Sequence, residues 1–335
     1  MTKAARPQLS YCNCLAQERG LDPVGTAADV DTIVLLETPL PWREDIYDKP
    51  GALPEELFKL YDLWAERYEA GEPYNQYALM IAPDKVYSRP GFRRVLHFSR
   101  PPGLRARFAR LEYQVPETEL GALTWALFED ADTLRDFEPY RVQEIEDVRD
   151  LLVCTHGTVD AACAKFGFPL YRTLREGHAD AALRVWRVSH FGGHVFAPTL
   201  MDMPTGHFWA YVHEAQAAQV ASRSGDVREL HGCYRGWSGV SSGFAQAAER
   251  ELWQRYGWDW IDFPRSASVL AQSAEDETLG WADVQIAYTN PKNGETGAWR
   301  VRVEAAQPIE TEHSTASDKT YPHPQFVVTA QEQLE

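Results

Sequence analysis

The chain has 335 residues, of which 44% are hydrophobic and 12% aromatic, so we expect two globular domains with cores of their own. Its formal net charge of -16 argues against nucleic acid and anionic membranes as partners and favours a partner with a basic patch. No apolar run reaches the length of about 18 residues that a transmembrane helix needs, and the first residues contain no apolar core of a secretory signal.

Five cysteines, an odd number in a chain of this length, are typical of an intracellular protein, so a cytoplasmic location is expected. The first two, Cys12 and Cys14, form a Cys-x-Cys pair that could bind a metal or form a strained redox disulfide. No histidine lies near them in the sequence to complete a metal site. We therefore predict that both are buried or free thiols.

The next hundred residues have the pattern of an α/β layer. An apolar run at 32–38, stopped by prolines, predicts a strand, and leucines and aromatic residues at helical spacing over 53–68 predict an amphipathic helix. The remaining predicted elements are strands at 77–81, 94–98 and 111–115 and a closing helix at 117–135. This order is that of a thioredoxin-like layer, and it contains no metal-ligand motif.

Two cysteines follow in the second half of the chain, with eight residues between them. Residues 151–153 predict a short buried strand, and Cys154 stands at its end. Asp160 or Thr158 is expected to cap the next helix, which places Cys163 in the first helical turn. Free NH groups and the helix dipole at that position favour a thiolate.

Two histidines, His190 and His194, follow with three residues between them. Gly167 and Pro169 predict that the intervening helix kinks or breaks midway. A strand is predicted at 183–188, and its end delivers His190. Because paired glycines separate the two histidines, we expect a loop that directs both imidazoles to one point.

Two thiolates and two imidazoles form a complete four-ligand set for a transition metal. The set suits tetrahedral zinc, although zinc fingers use shorter Cys-x-x-Cys pairs. It also suits a two-iron cluster in which histidines replace cysteines on one iron. A thiol oxidoreductase that uses Cys154 and Cys163 is a third interpretation, disfavoured because the usual Cys-x-x-Cys spacing is absent. The spacing alone does not separate the zinc site from the two-iron cluster.

The rest of the chain is interpreted as scaffold. A hairpin is predicted at 199–203 and 207–212, and helices are predicted at 214–222 and 244–256. His207 and His213 are placed outside the ligand set, Cys233 is predicted to be a buried thiol, and residues 235–239 are predicted to form a plain turn or, less favourably, an anion site. Strands are predicted at 282–288, 299–304 and 322–329, with a loose polar stretch at 309–322.

The ligand segment resembles the sucrase/ferredoxin-like family. The matching residues are VCTHG at 153–157, Asp160, Cys163, VW at 185–186 and SHFGGHVFAP at 189–198. Further similarity lies in PVGTA at 23–27, LLETPLPW at 35–42 and YRGWSG at 234–239. The resemblance covers most of the first 260 residues in outline, and it is specific in the cysteine and histidine segments.

The resemblance implies a two-iron two-sulphur (2Fe-2S) cluster, with Cys154 and Cys163 on one iron and His190 and His194 on the other. It further implies an electron-transfer protein that meets a redox partner protein, either a reductase or an electron acceptor, with no nucleic acid or membrane as partner. No catalytic acid, base or nucleophile is expected. The implied fold class is α/β, with two thioredoxin-like domains at 1–145 and 146–265 and a small C-terminal β extension at 266–335.

Overall fold

The computed structural model describes residues 10–49, 51–143, 145, 147–273 and 279–334. The chain starts with a short helix, α1 (Cys12–Glu18). The first half of a large sheet then contains β1 (Thr32–Glu37), β2 (Gln76–Ile81), β3 (Phe92–Ser99) and β4 (Ala109–Pro116). Helix α2 (Glu55–Glu69) connects the parallel strands β1 and β2, and helix α3 (Leu120–Phe128) follows β4.

The second half of the sheet repeats this arrangement. Its strands are β5 (Arg149–Cys154), β6 (Leu183–Val188), β7 (Leu200–Met203), β8 (His207–Trp209) and β9 (Tyr234–Trp237). Helix α4 (Ala161–Gly177) connects the parallel strands β5 and β6. Helices α5 (Glu214–Ser222) and α6 (Gly243–Tyr256) flank β9 in sequence.

The two halves form one nine-stranded sheet in the order β4-β3-β1-β2-β6-β5-β7-β8-β9. Each half has the same local order, β2-β1-β3-β4 and β6-β5-β7-β8, and they meet edge to edge through the antiparallel strands β2 and β6. At this junction Ile81 pairs with Val188, and the Ser189 NH donates to the Met80 carbonyl at 2.9 Å. The sheet is therefore continuous from one half to the other.

Buried charges join strands that are not neighbours in the large sheet. Glu112 of β4 is fully buried and binds Arg184 of β6 at 2.9 Å, and Arg94 and Arg110 also contact it. Asp150 of β5 binds Arg184 at 2.8 Å and Arg110 at 2.9 Å. Three strands separate β4 from β6 in the sheet order, so these ion pairs join strands from the two halves of the sheet.

A second, antiparallel sheet follows, with strands β10 (Arg265–Gln272), β11 (Trp281–Thr289), β12 (Thr296–Glu312) and β13 (Thr320–Leu334). Helix α6 packs against β9 of the large sheet and against β11, β12 and β13 of the small one. Beyond Glu304, β12 pairs with β13 alone, so the end of this hairpin projects as a two-stranded ribbon. The fold is therefore α/β with a C-terminal β extension, as predicted.

Several predicted elements differ from the structure in extent. The closing helix at 117–135 is wrong, because α3 ends at Phe128 and a 3-10 segment (Ala131–Tyr140) follows it. The loose stretch at 309–322 is also wrong, because the long strands β12 and β13 contain it apart from a connection at 313–319. The strand predicted at 322–329 is confirmed, but β13 extends beyond it to Leu334. Six of the 17 residues of β12 and nine of the 15 residues of β13 are exposed, and such partly exposed, polar strands give a weak strand pattern in the sequence.

Helix α4 runs without a break from Ala161 to Gly177, so the predicted kink at Gly167 and Pro169 is wrong. A Cβ on Gly167 would lie 2.0 Å from the Cys154 carbonyl oxygen, so glycine allows the helix to pack directly on the end of β5. Leu170 and Leu174 bury their side chains beyond this point. This burial outweighs the local cost of the proline.

Candidate metal centre

Three of the four predicted ligands lie together beside the carboxyl ends of the central strands β5 and β6 of the large sheet. Cys154 ends β5, Cys163 lies in the first turn of α4, and His190 follows β6, which is parallel to β5. The Nδ1 atom of His190 is 3.9 Å from the Cys154 sulphur and 3.7 Å from the Cys163 sulphur. All three donor atoms lie within 4.8 Å of one another. This spacing is close enough for the three side chains to share a metal ion or a small cluster.

His194, the fourth predicted ligand, stands beside this group and is outside the set of atoms within 4.8 Å. Its ring stacks on His190 with the centroids 5.2 Å apart. The Nε2 atom lies 2.5 Å from the carbonyl oxygen of His313, which can only accept, so Nε2 carries the hydrogen. The Nδ1 atom is buried and has no hydrogen-bond partner among the described residues. It is therefore available as a ligand.

The two thiols differ in protonation. Hydrogen bonding from Cys163 holds the pKa of Cys154 well below its usual range, and His190 adds to this effect against the cost of burial. The pKa of Cys163 is raised, first by its bond to Cys154 and then by burial. The thiolate therefore resides on Cys154. In this pair the neighbouring sulphur and burial oppose the thiolate that the start of α4 is expected to favour at Cys163.

The histidine of the VCTHG segment, His156, supports the backbone of His190. The His156 side chain is buried, and its Nδ1 accepts a hydrogen bond from the His190 NH at 3.3 Å. Its Nε2 atom donates to the Arg43 carbonyl at 3.2 Å. Burial lowers the pKa of His156, so the neutral form needed for this arrangement is favoured. The sequence placed His156 in a matching segment but gave no indication of this contact.

Arg235 holds the loop that carries the two histidines. This buried guanidinium donates to the Gly192 carbonyl at 3.2 Å and to the Thr26 carbonyl at 2.6 Å. Gly193 has a φ of 79°, and a Cβ there would lie 2.8 Å from the guanidinium carbon. Glycine is therefore required both by the left-handed backbone and by the close approach of the arginine. Burial lowers the pKa of Arg235 to about 10.

This contact revises the interpretation of residues 235–239 as a plain turn, because residues 235–237 belong to a strand and only 238–239 form a turn. Residues Tyr234–Trp237 form the edge strand β9, and the Arg235 carbonyl accepts the Gly25 NH at 2.9 Å. The PVGTA and YRGWSG segments, which are far apart in sequence, thus meet below the histidine loop. Sequence reasoning missed the role of Arg235 because a single arginine gives no signal of burial.

The connection between β12 and β13 contacts His194 and the start of helix α4. Besides the His313 carbonyl at His194, the Thr315 NH and hydroxyl donate to the Asp160 carboxylate at 2.8 and 2.7 Å. Asp160 also accepts the Ala162 NH at 2.7 Å, so it caps α4 as predicted. Thr315 therefore binds the capping residue at the start of the ligand helix, although the two residues are 155 positions apart in the sequence.

The remaining cysteines and histidines lie outside the group of donor atoms. All five cysteines are free thiols, and Cys12 and Cys233 are buried as predicted. The Cys12 sulphur is 3.7 Å from the His194 carbonyl oxygen, and burial raises its pKa to about 11. His207 is fully buried between Thr205 and Arg265, and the exposed His213 precedes α5.

Comparison with known proteins identifies the family. No helix in the part of the chain that the structure describes combines the length and the apolar character required to cross a membrane. No curated protein and no solved structure gives a significant match. The family model described as sucrase/ferredoxin-like matches residues 23–236, which include Cys154, Cys163, His190, His194 and Arg235. Because this match spans well over half of the chain, the protein belongs to the sucrase/ferredoxin-like family, as the sequence motifs predicted.

Proposed function

We propose that Cys154, Cys163, His190 and His194 hold a 2Fe-2S cluster and that the protein is an electron carrier. The observation that carries this proposal is the convergence of two buried thiols on one imidazole nitrogen, at 3.7 and 3.9 Å, in a chain of this family. Such a cluster, when bound, accepts and releases one electron. The protein then needs no catalytic acid, base or nucleophile.

The chemistry of the four side chains fits this group. Cys154 already favours the thiolate, which is the form that binds iron. The buried Nδ1 atom of His194 lacks a hydrogen-bond partner among the described residues, and leaving such an atom unpaired costs about 1–3 kcal/mol. A bond to a metal would satisfy this atom. The opposite nitrogen donates to a backbone carbonyl, as is usual for histidines that bind metals.

The repeated strand order supports the finer fold assignment. In each half, two parallel strands joined by a helix lie beside two antiparallel strands and are followed by a helix, which is the thioredoxin-like order. We infer two thioredoxin-like domains at 1–145 and 146–265, fused through β2 and β6, with the extension at 266–335. The proposed partner is a cytoplasmic redox protein, and the charge of -16 favours one with a basic surface.

A structural zinc site is the second candidate function. The three donor atoms within 4.8 Å would suit one tetrahedral ion, with His194 or water as the fourth ligand. A thiol oxidoreductase is disfavoured, because Cys154 and Cys163 are each only 1% exposed and such thiols must meet their substrates.

Metal analysis of anaerobically purified protein separates these candidates. We expect brown protein with about two irons and two sulphides per chain and a visible absorption that bleaches on reduction. Expression in medium supplied with both iron and zinc serves as the control for metal availability. Colourless protein with one zinc per chain would overturn the electron-transfer proposal and favour the zinc site.

A further inference from the structure

A cavity of about 710 Å³ opens beside His190. Six aromatic side chains from the loop after β1, from α2 and from the region around the start of β2 line it: Tyr47, Tyr61, Trp64, Tyr68, Tyr74 and Tyr77. Sites for small organic molecules have volumes of about 300–1,000 Å³ and mostly apolar walls. The cavity therefore has the size and the lining of a small-molecule site, and it reaches a residue of the candidate metal centre.

Apart from the Asp48 carboxylate, the polar groups of the cavity are neutral hydrogen-bonding groups. Tyr47 shares a hydrogen bond of 2.7 Å with Ser189. The hydroxyls of Tyr61, Tyr74 and Tyr77 have no hydrogen-bond partner among the described residues. Burial raises the pKa of these three tyrosines, so their hydroxyls stay protonated and can donate. The buried Oε1 atom of Gln76 has no hydrogen-bond partner among the described residues and can accept.

The charge of the lining restricts the ligand further. Among the described residues that line the cavity none is Lys or Arg, and Asp48 contributes a carboxylate. A phosphate or carboxylate ligand would meet no cation there and would be repelled by Asp48. A neutral ring system meets aromatic faces on which it can stack.

We propose that this cavity binds a neutral, planar aromatic molecule with carbonyl or hydroxyl oxygens, of the quinone or hydroquinone class. The aromatic walls stack on the rings, and the tyrosine hydroxyls donate to the oxygens. Binding itself depends only on the cavity. The further step, that this molecule is the small-molecule redox partner of the centre at His190, rests on the proposed function.

Binding of a matched pair of probes tests the proposal. The full-length protein, as purified, is titrated by equilibrium dialysis with 2-(hydroxymethyl)anthraquinone and with anthraquinone-2-sulfonate, which share a ring system and differ in charge. Neither probe adds to thiols readily. For the neutral probe we expect a Kd of about 100 µM or tighter, from the typical affinity per heavy atom of small ligands. The sulfonate should bind at least tenfold more weakly.

Two alanines, one within helix α2 and one directly after it, provide a matched pair of variants. Ala65 is exposed and lines the cavity, so Ala65→Trp fills the cavity without disturbing the core. Ala70 directly follows α2 and is exposed away from the cavity, so Ala70→Trp is the control. We expect Ala65→Trp to weaken binding of the neutral probe at least tenfold and Ala70→Trp to change it less than twofold. Tyr61→Phe, which removes one donor, should weaken it severalfold.

The outcomes separate this proposal from the proposed function, because iron content is measured on the same samples. Tight binding of the neutral probe to protein without iron would support the cavity proposal and contradict the cluster. No binding of the neutral probe to protein with a full complement of iron would overturn the cavity proposal alone. Equal affinity for the two probes, or unchanged binding to Ala65→Trp, would also overturn it.

Discussion

Cys154 and Cys163 act as a pair because the proton on one sulphur stabilises the charge on the other. Among the described residues, no third thiol joins this group of donor atoms. The Cys12 thiol is near the site, but its sulphur contacts the His194 carbonyl oxygen at 3.7 Å and lies outside the group of donor atoms. The identity of the two ligand cysteines is thus sharply testable.

Changing Cys154 or Cys163 to serine should remove the visible absorption and most of the bound metal, because soft thiolates are the ligands that these metals prefer. Cys233→Ser is the matched control, since Cys233 is also buried and lies outside the group of donor atoms. Cys12→Ser and Cys14→Ser should also retain the spectrum. Loss of the spectrum in Cys12→Ser together with its retention in Cys163→Ser would contradict the assigned site. Absorption spectra and metal content measure each case.

His194 predicts a link between reduction potential and pH. The Nε2 atom carries a hydrogen that faces the His313 carbonyl. If Nδ1 binds the metal centre, oxidation of that centre would make this hydrogen more acidic. If one proton accompanies each electron, the potential should fall by about 59 mV per pH unit through the range in which this proton is lost. Voltammetry of the purified protein from mildly acid to strongly alkaline pH measures the slope.

Replacement of the histidine tests the same link. His194→Cys should lower the potential and remove much of the slope, because a thiolate adds negative charge and has no second titrating nitrogen. His213→Cys, at an exposed position outside the site, is the control and should leave both unchanged. A flat potential in the unmodified protein over the whole range would contradict proton coupling at these histidines.

Among the structural elements, the ribbon formed by β12 and β13 connects the C-terminal sheet to the site. Thr315 at its tip donates twice to Asp160, which caps the helix that carries Cys163. Hydrogen bonds to charged groups typically contribute about 1.5–3 kcal/mol. The ribbon therefore stabilises the ligand helix at the point where the metal would bind.

Thr315→Val removes the hydroxyl donor and keeps the shape of the side chain. We expect metal to leave the variant about tenfold faster, because a loss of about 1.4 kcal/mol corresponds to that factor. Thr320→Val is the control, since the Thr320 hydroxyl bonds the exposed Glu310 on the same ribbon at 3.3 Å. Stopped-flow measurement of metal release to a chelator compares the two. Equal release rates would mean that the ribbon tip does not stabilise the site.

The sequence predicted the elements that carry the ligands better than the contacts that hold them. Cys154 at a strand end and Cys163 in a first helical turn follow from local pattern, and the structure confirms both positions. The contacts of Arg235, His313 and Thr315 join residues that are far apart in the chain. Such contacts depend on how the sheets pack, and no periodicity in one segment encodes them.

The difference between local pattern and long-range contact also explains which fold predictions were wrong. Gly167 looks like a helix breaker when only its neighbours are considered, but it permits close packing of α4 on the Cys154 backbone. The edge pairing of β2 with β6 is likewise invisible in the sequence, because it rests on a single residue pair and a few backbone hydrogen bonds. Repetition of the strand order in the two halves is recognisable only once the pairing is known.

The whole molecule buries neutral histidines, and this predicts how its stability depends on pH. His97 of β3 is 9% exposed, and burial lowers its pKa to about 4. An unfolded histidine has a pKa of about 6.5, so between pH 6.5 and 4 the unfolded chain binds a proton that the folded chain does not. His97 therefore lowers the free energy of unfolding as the pH falls through this range. The full effect is about 3 kcal/mol, from about 1.4 kcal/mol per pKa unit.

Urea unfolding of the intact protein and of His97→Leu at pH 7 and at pH 4.5 isolates this contribution. Protonation of the metal ligands at low pH destabilises both proteins alike, so the difference between their pH responses reports on His97 alone. We expect the variant to lose about 2–3 kcal/mol less than the unmodified protein on acidification, which follows from the same linkage. His213→Leu, at an exposed position, should respond as the unmodified protein does. Identical losses in His97→Leu and the unmodified protein would mean that His97 is charged in the fold, in conflict with its burial between β1 and β4.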